Sequence, residues 1–448
     1  MPRRLRWAIF SLALASLSSP VSSWAQDAHY WGLHYGPSGQ LLGGTMVGGV
    51  QDLSSTYYSP GALALIEDPR FLISFSTFQI THVTVKNAAG EGLDFSDTRI
   101  RSIPRIVAGH IDLGEGKDRF SYSIITRQDD ELRFQTSGSA IDPSSPDGRA
   151  ALARLDQRLV EYWAGGTWAR TIGEGLGVGV STYIALRNQN TRGEFLTEDV
   201  AGSSSRAALV TDDYSFTHFR LLWKLGAAWR RGPLQLAANV TTAGIPIYGW
   251  GSATFNAATV GDVAEPFIAA STQKDLATEY KSPWSVSGGA TYRWGRTALH
   301  AAGEWYGGVS RFEILSPDPA PVTGSDQTVP LAFPREVDSV FNYGVGVEHR
   351  FSGRDLALYA SFFRDHSARG PDSLDTLSDW DLTHVRAGVT VGTEGIQWGI
   401  GGGYAWGRED VPRLSPPDAT VTEGTAQASV NRFSIFLALA FGSTNPQP

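Results

Sequence analysis

The chain has 448 residues, a formal net charge of -8, no cysteine and a mean hydropathy just below zero. The acidic balance argues against nucleic acid as a partner, the missing cysteines mean that an exported protein must hold together without disulfides, and beyond residue 25 no apolar run approaches the roughly 20 residues of a membrane helix. A transmembrane β-barrel stays open, because alternating lipid- and lumen-facing residues average out on any hydropathy scale, and the 50 glycines, 14 tryptophans and 15 tyrosines suit one.

At the start of the chain Arg3, Arg4 and Arg6 precede an apolar run from Trp7 to Leu17, and a polar stretch ends in Ser23-Trp24-Ala25. This is the pattern of a secretory signal peptide over residues 1–25. Its apolar run is too short to cross ~30 Å of hydrocarbon, so the mature protein is expected to begin at Gln26.

Residues 26–70 are rich in glycine and serine, show no clean alternation, and are too apolar for a tail. Tyr35 to Leu65 reads YGPSGQLLGGTMVGGVQDLSSTYYSPGALAL, and EDPRFLISFSTFQI then enters the first strand. With Asp52, then Tyr57 and Tyr58, then Ser59-Pro60-Gly61 and Ala62-Leu63-Ala64, this stretch resembles the hatch of the long-chain fatty acid transporter family, the FadL/TodX type. That family has a glycine-rich segment, an acidic residue, an aromatic, Asn-Pro-Ala and a short apolar run before strand one. Ser-Pro-Gly departs from Asn-Pro-Ala. The resemblance implies an N-terminal hatch, or plug, inside the lumen of an outer-membrane barrel.

Over residues 71–442, period-2 alternation bounded by turn residues predicts about fourteen strands between Phe71 and Phe441. The clearest are Trp284 to Trp294, Phe341 to Phe351, Leu356 to Phe363, Ile396 to Trp406 and Phe433 to Phe441. Tight turns such as Gly114 to Asp118, Thr171 to Gly175, Arg230 to Pro233 and Ser352 to Asp355 alternate with long segments around residues 86–98, 137–156, 190–213, 244–281, 311–339, 365–381 and 407–427. Short periplasmic turns and long outer loops are the threading of an antiparallel up-and-down outer-membrane barrel. Within the second long segment, Ser145, Pro146, Leu152, Leu155 and Leu159 predict a helix. Residues 443–448 are expected to be a C-terminal tail.

Alternation also assigns faces. Trp284, Val286, Ala290, Tyr292 and Trp294 form a lipid face with an aromatic at each end, opposite Ser285, Ser287, Thr291 and Arg293. Phe219, Leu221, Trp223, Leu225 and Trp229 likewise point outward. A charge on the lipid face near the midplane costs about 2–4 kcal/mol, which turns Arg127, Arg187, Arg220, Lys224, Arg293 and Arg350 into the lumen. There Glu161, Glu304 and Glu348 are available as partners, and ion pairing is the first reading of these cations; anchoring a fatty carboxylate is the second. Gly399, Gly401 and Gly403, facing inward without side chains, leave room for a plug or a ligand.

The nine histidines form no H-E-x-x-H, and no G-x-S-x-G is present, so no enzyme, metal or cofactor is expected. The resemblance implies passive uptake of a hydrophobic small molecule, a fatty acid or hydrocarbon, through a loop groove, a hatch-gated site and a lateral opening in the wall. Ile245, Ile247, Tyr248, Trp250, Phe255, Phe267 and Ile268, apolar for a loop in water, are the candidate groove. Expected partners are outer-membrane lipid and the barrel assembly machinery, with Phe433 to Phe441 as an internal assembly signal; the protein is expected in the outer membrane of a Gram-negative-type bacterium, as a monomer. The competing reading is a surface-structural or adhesin-type barrel without transport.

Overall fold

The computed structural model describes residues 29–87, 94–113, 116–141, 148–201, 204–261, 267–370, 380–393, 395–412 and 425–442. The expected signal peptide and C-terminal tail lie outside them. No helix among the described residues is long and apolar enough to cross a membrane.

The chain crosses with strands. Fourteen of them close into one antiparallel ring: β1 (Pro69–Lys86), β2 (Phe95–Ile111), β3 (Asp118–Ile141), β4 (Gly148–Thr171), β5 (Leu176–Ala201), β6 (Ser204–Arg231), β7 (Leu234–Thr241), β8 (Ser285–Trp294), β9 (Thr297–Tyr306), β10 (Val340–Arg350), β11 (Leu356–Asp365), β12 (Leu382–Thr393), β13 (Ile396–Pro412) and β14 (Thr425–Gly442). β1 pairs with β2 on one side and with β14 on the other, which closes the ring.

The alternation seen in the sequence explains why these segments are strands. On β8, Ser285, Ser287 and Thr291 are buried, whereas Val286, Tyr292 and Trp294 are exposed on the outer wall. Trp284 and Trp294 are ten residues apart, about 33 Å along a strand, which at a tilt of about 40° matches an apolar band about 25 Å tall. Paired rings mark the rim at the long-connection end: Trp284 with Trp305, Phe341 with Tyr343, and Tyr404 with Trp406.

Two expectations fail, for one reason. The helix expected from Ser145 to Leu159 does not form: Ser145 and Pro146 lie outside the described residues, and Leu152, Leu155 and Leu159 belong to β4. Ala153, Leu155, Gln157, Leu159 and Glu161 are buried at period two, and the backbone is paired on both sides, to β3 and β5. The long segments at 137–156 and 190–213 are likewise mostly strand. β3 to β6 run for 24, 24, 26 and 28 residues, well past the membrane's requirement, because continuous pairing outweighs the weak local pattern. Where β6 outruns β7, its upper half pairs instead with Ile245–Gly261, which forms a hairpin with Phe267–Ala277. The fourth long segment is thus mainly sheet.

Inside the ring lies the N-terminal segment. It contains α1 (Pro37–Leu42), a 3-10 turn (Thr45–Gly48), α2 (Ser55–Tyr58) and a second 3-10 turn (Pro60–Leu65). Tyr35, Leu41, Leu42, Met46, Leu53 and Leu63 are almost wholly buried, in one cluster with Leu72, Ile103, Ile125, Leu222, Phe363 and Phe436 of the wall.

Candidate functional site

The segment approaches the wall where the wall has no side chains. A Cβ on Gly61 would stand 2.6 Å from the carbonyl oxygen of Gly177 and 2.7 Å from that of Gly226; one on Gly179 would stand 2.6 Å from the carbonyl oxygen of Pro60. Pro60-Gly61 therefore sits on a floor made by inward positions of β5 and β6. This gives a physical reason for the departure from Asn-Pro-Ala: alanine at 61 has no room. On the far side Gly399 and Gly401 make way for Pro37 and Leu41, with a Cβ at Gly401 falling 2.3 Å from Leu41 Cδ2. Gly403 instead adjoins Arg386 and Phe436.

Hydrogen bonds fix the rest. Ser181 Oγ and Tyr183 OH each donate to the carbonyl of Thr56 at 2.7 Å, and the backbone N–H of Tyr35 donates to Tyr58 OH at 2.9 Å. Asp52 accepts from the backbone N–H of Ser54 at 2.8 Å ahead of α2; burial raises its carboxyl above the ordinary range, and the Ser54 bonds oppose that shift. Burial, with Arg386, Arg105 and His384 nearby, holds the imidazole of His34 well below its usual value, so it is neutral at physiological pH.

Tyr57 lies at the centre. Its ring meets Tyr35 edge-on at 4.7 Å and Tyr58 at 5.3 Å, and the Lys224 ammonium lies 4.6 Å from its centroid. A small cavity adjoins the rings of Tyr57 and Tyr58, lined also by Tyr30, Trp31, Val47 and Glu304. It is an aromatic chamber with one cation and one carboxylate in its wall.

The wall is incomplete between β2 and β3. β2 and β3 pair only from Ile106–Ile125 to Ile111–Phe120, whereas β3 and β4 pair along their whole length. The break coincides with a bulge on β3 between Thr126 and Gln128. All three bulge residues are tied to the N-terminal segment: Tyr35 OH donates to the Thr126 carbonyl at 2.9 Å, Arg127 donates to the Tyr30 carbonyl at 2.8 Å, and the Gln128 amide donates to the His29 carbonyl at 3.3 Å. Above the bulge, side chains replace the ladder. Arg99 meets Asp97 and Glu131, each at 2.6 Å, and Arg101 binds the Asp129 carboxylate and lies 3.6 Å from Glu131.

The expected lumen cations do face inward, and most are engaged. Arg187 and Arg220 reach Glu161 at 3.3 and 2.7 Å; Arg293 and Arg350 share Glu348; Arg127 lies over Tyr30, Tyr57 and Trp163. The expected groove is not assembled. Ile245, Ile247, Tyr248, Trp250 and Ile268 are exposed, and Tyr248, Trp250 and Phe219 form a ring cluster on the outer wall, whereas Phe255 and Phe267 are buried on the inner side with Val210 and Val322. Once 245–261 is a strand, alternation sends neighbours to opposite faces. Sequence reasoning missed Arg105 and Arg386, two fully enclosed guanidiniums flanking Phe436 at 5.2 and 4.8 Å. The alternation of Val385, Arg386 and Ala387 carried that signal.

No family model and no curated relative matches the chain. Solved structures do. A FadL homologue of Pseudomonas aeruginosa superposes with a TM-score of 0.55 at 11% identity, over 92% of this chain and 99% of that one. The toluene transporter TbuX of Ralstonia pickettii gives 0.56 at 13%, over 91% and 98%. The toluene transporter TodX of P. putida gives 0.57 at 11%, over 92% and 99%. At these identities the likeness is one of fold, and the fold of this chain is that of the FadL/TodX-type channels.

Proposed function

We propose that the chain is an outer-membrane channel for passive uptake of hydrophobic molecules, with the N-terminal segment as its hatch and the β2–β3 seam as a lateral way out of the lumen. The observation that carries this reading is the set of three bonds from the segment to the β3 bulge. A shift of the segment would pull on the stretch of wall where β2 and β3 lack a backbone ladder. The aromatic chamber beside Tyr57 supplies what a water-filled pore lacks, namely apolar surface that an apolar solute prefers to water. The two toluene transporters of the same fold support the reading. A barrel acting only through surface loops leaves the bonds between segment and bulge without a role.

The test bridges the seam. With no native cysteine, Arg101→Cys with Asp129→Cys can be joined in whole cells by a bis-methanethiosulfonate, whose disulfides a reductant cleaves. Uptake of radiolabelled toluene and of a long-chain fatty acid is expected to fall at least about tenfold when bridged and to recover on cleavage. Undiminished uptake through a fully bridged protein would rule out the lateral route. Uptake no faster than in cells without the protein would rule out the channel.

A further inference from the structure

An up-and-down outer-membrane barrel turns its short connections to the periplasm, and three neighbouring ones here each carry two arginines. Arg230 and Arg231 stand where β6 meets β7, Arg293 and Arg296 where β8 meets β9, and Arg350 and Arg354 where β10 meets β11. Asp355 is the single acidic residue in these turns. Backbone bonds join the three into one rim, because the Arg293 N–H donates to the Pro233 carbonyl and the Arg350 N–H to the Arg296 carbonyl, both at 2.9 Å. One arginine of each pair is engaged by the barrel or its N-terminal segment. Arg230 donates to the Leu65 carbonyl at 3.4 Å, Arg350 to the Gln51 side chain at 3.0 Å, and Arg293 shares Glu348 with Arg350. The others, Arg231, Arg296 and Arg354, are exposed, and among the described residues they have no carboxylate within ion-pair range.

The rest of the periplasmic rim has a different balance. The β2–β3 turn holds Asp112, Lys117 and Asp118, the β4–β5 turn holds Glu174, and Glu67 and Asp68 precede β1. Arginines there are paired, Arg70 with Asp68 at 2.9 Å and Arg170 with Asp118 at 3.8 Å.

The wall beside the cationic arc shows what meets it. Trp294, 84% exposed, points outward immediately before Gly295-Arg296, and Leu299 and Phe351 are exposed on the same outer face. His349 faces outward between them, its Nδ1 2.9 Å from Thr297 Oγ1 and its ring 5.2 Å from that of Phe351. Tryptophan marks the membrane–water interface, and an outward imidazole suits the headgroup layer better than hydrocarbon. The exposed arginines therefore lie at the depth of lipid phosphates, where an anion from the membrane supplies the counter-charge the protein does not. Neighbouring turns are two strands apart, roughly 10 Å at the sheet spacing, so a headgroup with two phosphates can engage two turns at once. An acidic polypeptide in the periplasm would match the charge but would have no use for the outward aromatic rings.

We infer that this arc binds anionic phospholipid of the inner leaflet, its phosphates on Arg231, Arg296 and Arg354 and its chains against Trp294. The inference rests on the place of the barrel in an outer membrane and is independent of what the barrel carries. The arc is centred on the β8–β9 turn, six strands from the β2–β3 seam one way and eight the other, so the lipid grips the side of the ring away from the seam.

The test is titration of the delipidated mature protein in mild detergent with cardiolipin, phosphatidylglycerol, phosphatidylethanolamine and polyglutamate, with bound molecules counted by native mass spectrometry. The wild type is expected to bind cardiolipin at least about tenfold tighter than phosphatidylethanolamine, with phosphatidylglycerol between them. The combined change Arg231→Gln, Arg296→Gln and Arg354→Gln is expected to lose about tenfold for cardiolipin and to bind phosphatidylethanolamine as before. The same three positions changed to lysine should stay within about threefold of wild type, and Lys117→Gln, on the other side of the rim, should change nothing. Trp294→Ala is expected to weaken all three lipids by about threefold. Equal binding of cardiolipin and phosphatidylethanolamine by the wild type would overturn the site, as would a glutamine variant that keeps its cardiolipin. Polyglutamate bound through these arginines, with no discrimination among the lipids, would overturn it in favour of an acidic periplasmic partner. Should the triple glutamine variant fail to migrate as a closed barrel in unheated gels, Arg296→Gln alone, expected to lose about threefold for cardiolipin, decides in its place.

Discussion

A methyl group added at Gly61 would press on two carbonyl oxygens that belong to the barrel wall, those of Gly177 and Gly226. Neither can retreat, since both residues are paired in the sheet. Overpacking of this kind costs about 1–3 kcal/mol, and here the cost falls on the seating of the segment, because the closed ring is the stiffer body. Gly61→Ala is therefore expected to raise hydrogen exchange at residues 53–66 by about tenfold or more while β4 to β6 stay protected. Unchanged exchange would mean that the segment tolerates the methyl by sliding along its floor. The order of aspartate, paired tyrosines and a proline turn on one short stretch is legible in the sequence. The floor was not: which glycines of β5 and β6 face Pro60-Gly61 depends on register between strands some 50 residues apart, and no local pattern encodes register.

Strands show the same divide between what alternation can carry and what it cannot. Across the membrane the outer face must be apolar, so β8 or β13 is read from its residues alone. Past the rim both faces meet polar surroundings: Arg187, Gln189 and Thr191 are buried on β5, and Asn188, Asn190 and Arg192 are exposed. The period of two persists in the burial but vanishes from the hydropathy, which is why the upper halves of β3 to β6 look like loops in sequence. The β2–β3 seam is likewise invisible there, because no glycine or proline marks the bulge at Thr126 to Gln128. What closes the seam is a row of charges, with Glu131 binding Arg99 and lying 3.6 Å from Arg101 and 3.5 Å from Arg133. These groups are partly buried, so removing the carboxylate should cost about 1–2 kcal/mol, between the values for exposed and buried pairs. Glu131→Gln is expected to speed exchange of amides around 97–103 and 129–133 about tenfold and to leave β4 and β5 unchanged. If exchange at the seam does not move, the ion pairs are not what holds it shut.

At the scale of the whole molecule, barrel and segment differ in what they need from each other. The ring pairs most of its own backbone by closure, and its inner face is polar enough to stand in water: Arg105, Arg127, Arg187, Arg220, Lys224 and Arg386 point inward, against Glu161, Glu304, Glu348 and Asp365. The segment has no such independence, since Leu41, Leu42, Met46, Leu53 and Leu63 are buried in a cluster that includes the wall. Removing residues 29–66 should therefore leave a closed barrel that still migrates as a compact species in unheated detergent gels, now with a water-filled lumen. In planar bilayers the full-length protein is expected to conduct ions poorly and the deleted form to open a steady pore. Because inward cations outnumber inward carboxylates among the described residues, that pore should prefer anions, with a reversal potential of the corresponding sign in a salt gradient. A deleted form that conducts no better than the intact protein would mean that the strands collapse inward once the segment is gone, making the segment a structural core of the barrel. A cation-selective pore would show that the inward guanidiniums depend on the segment for their orientation.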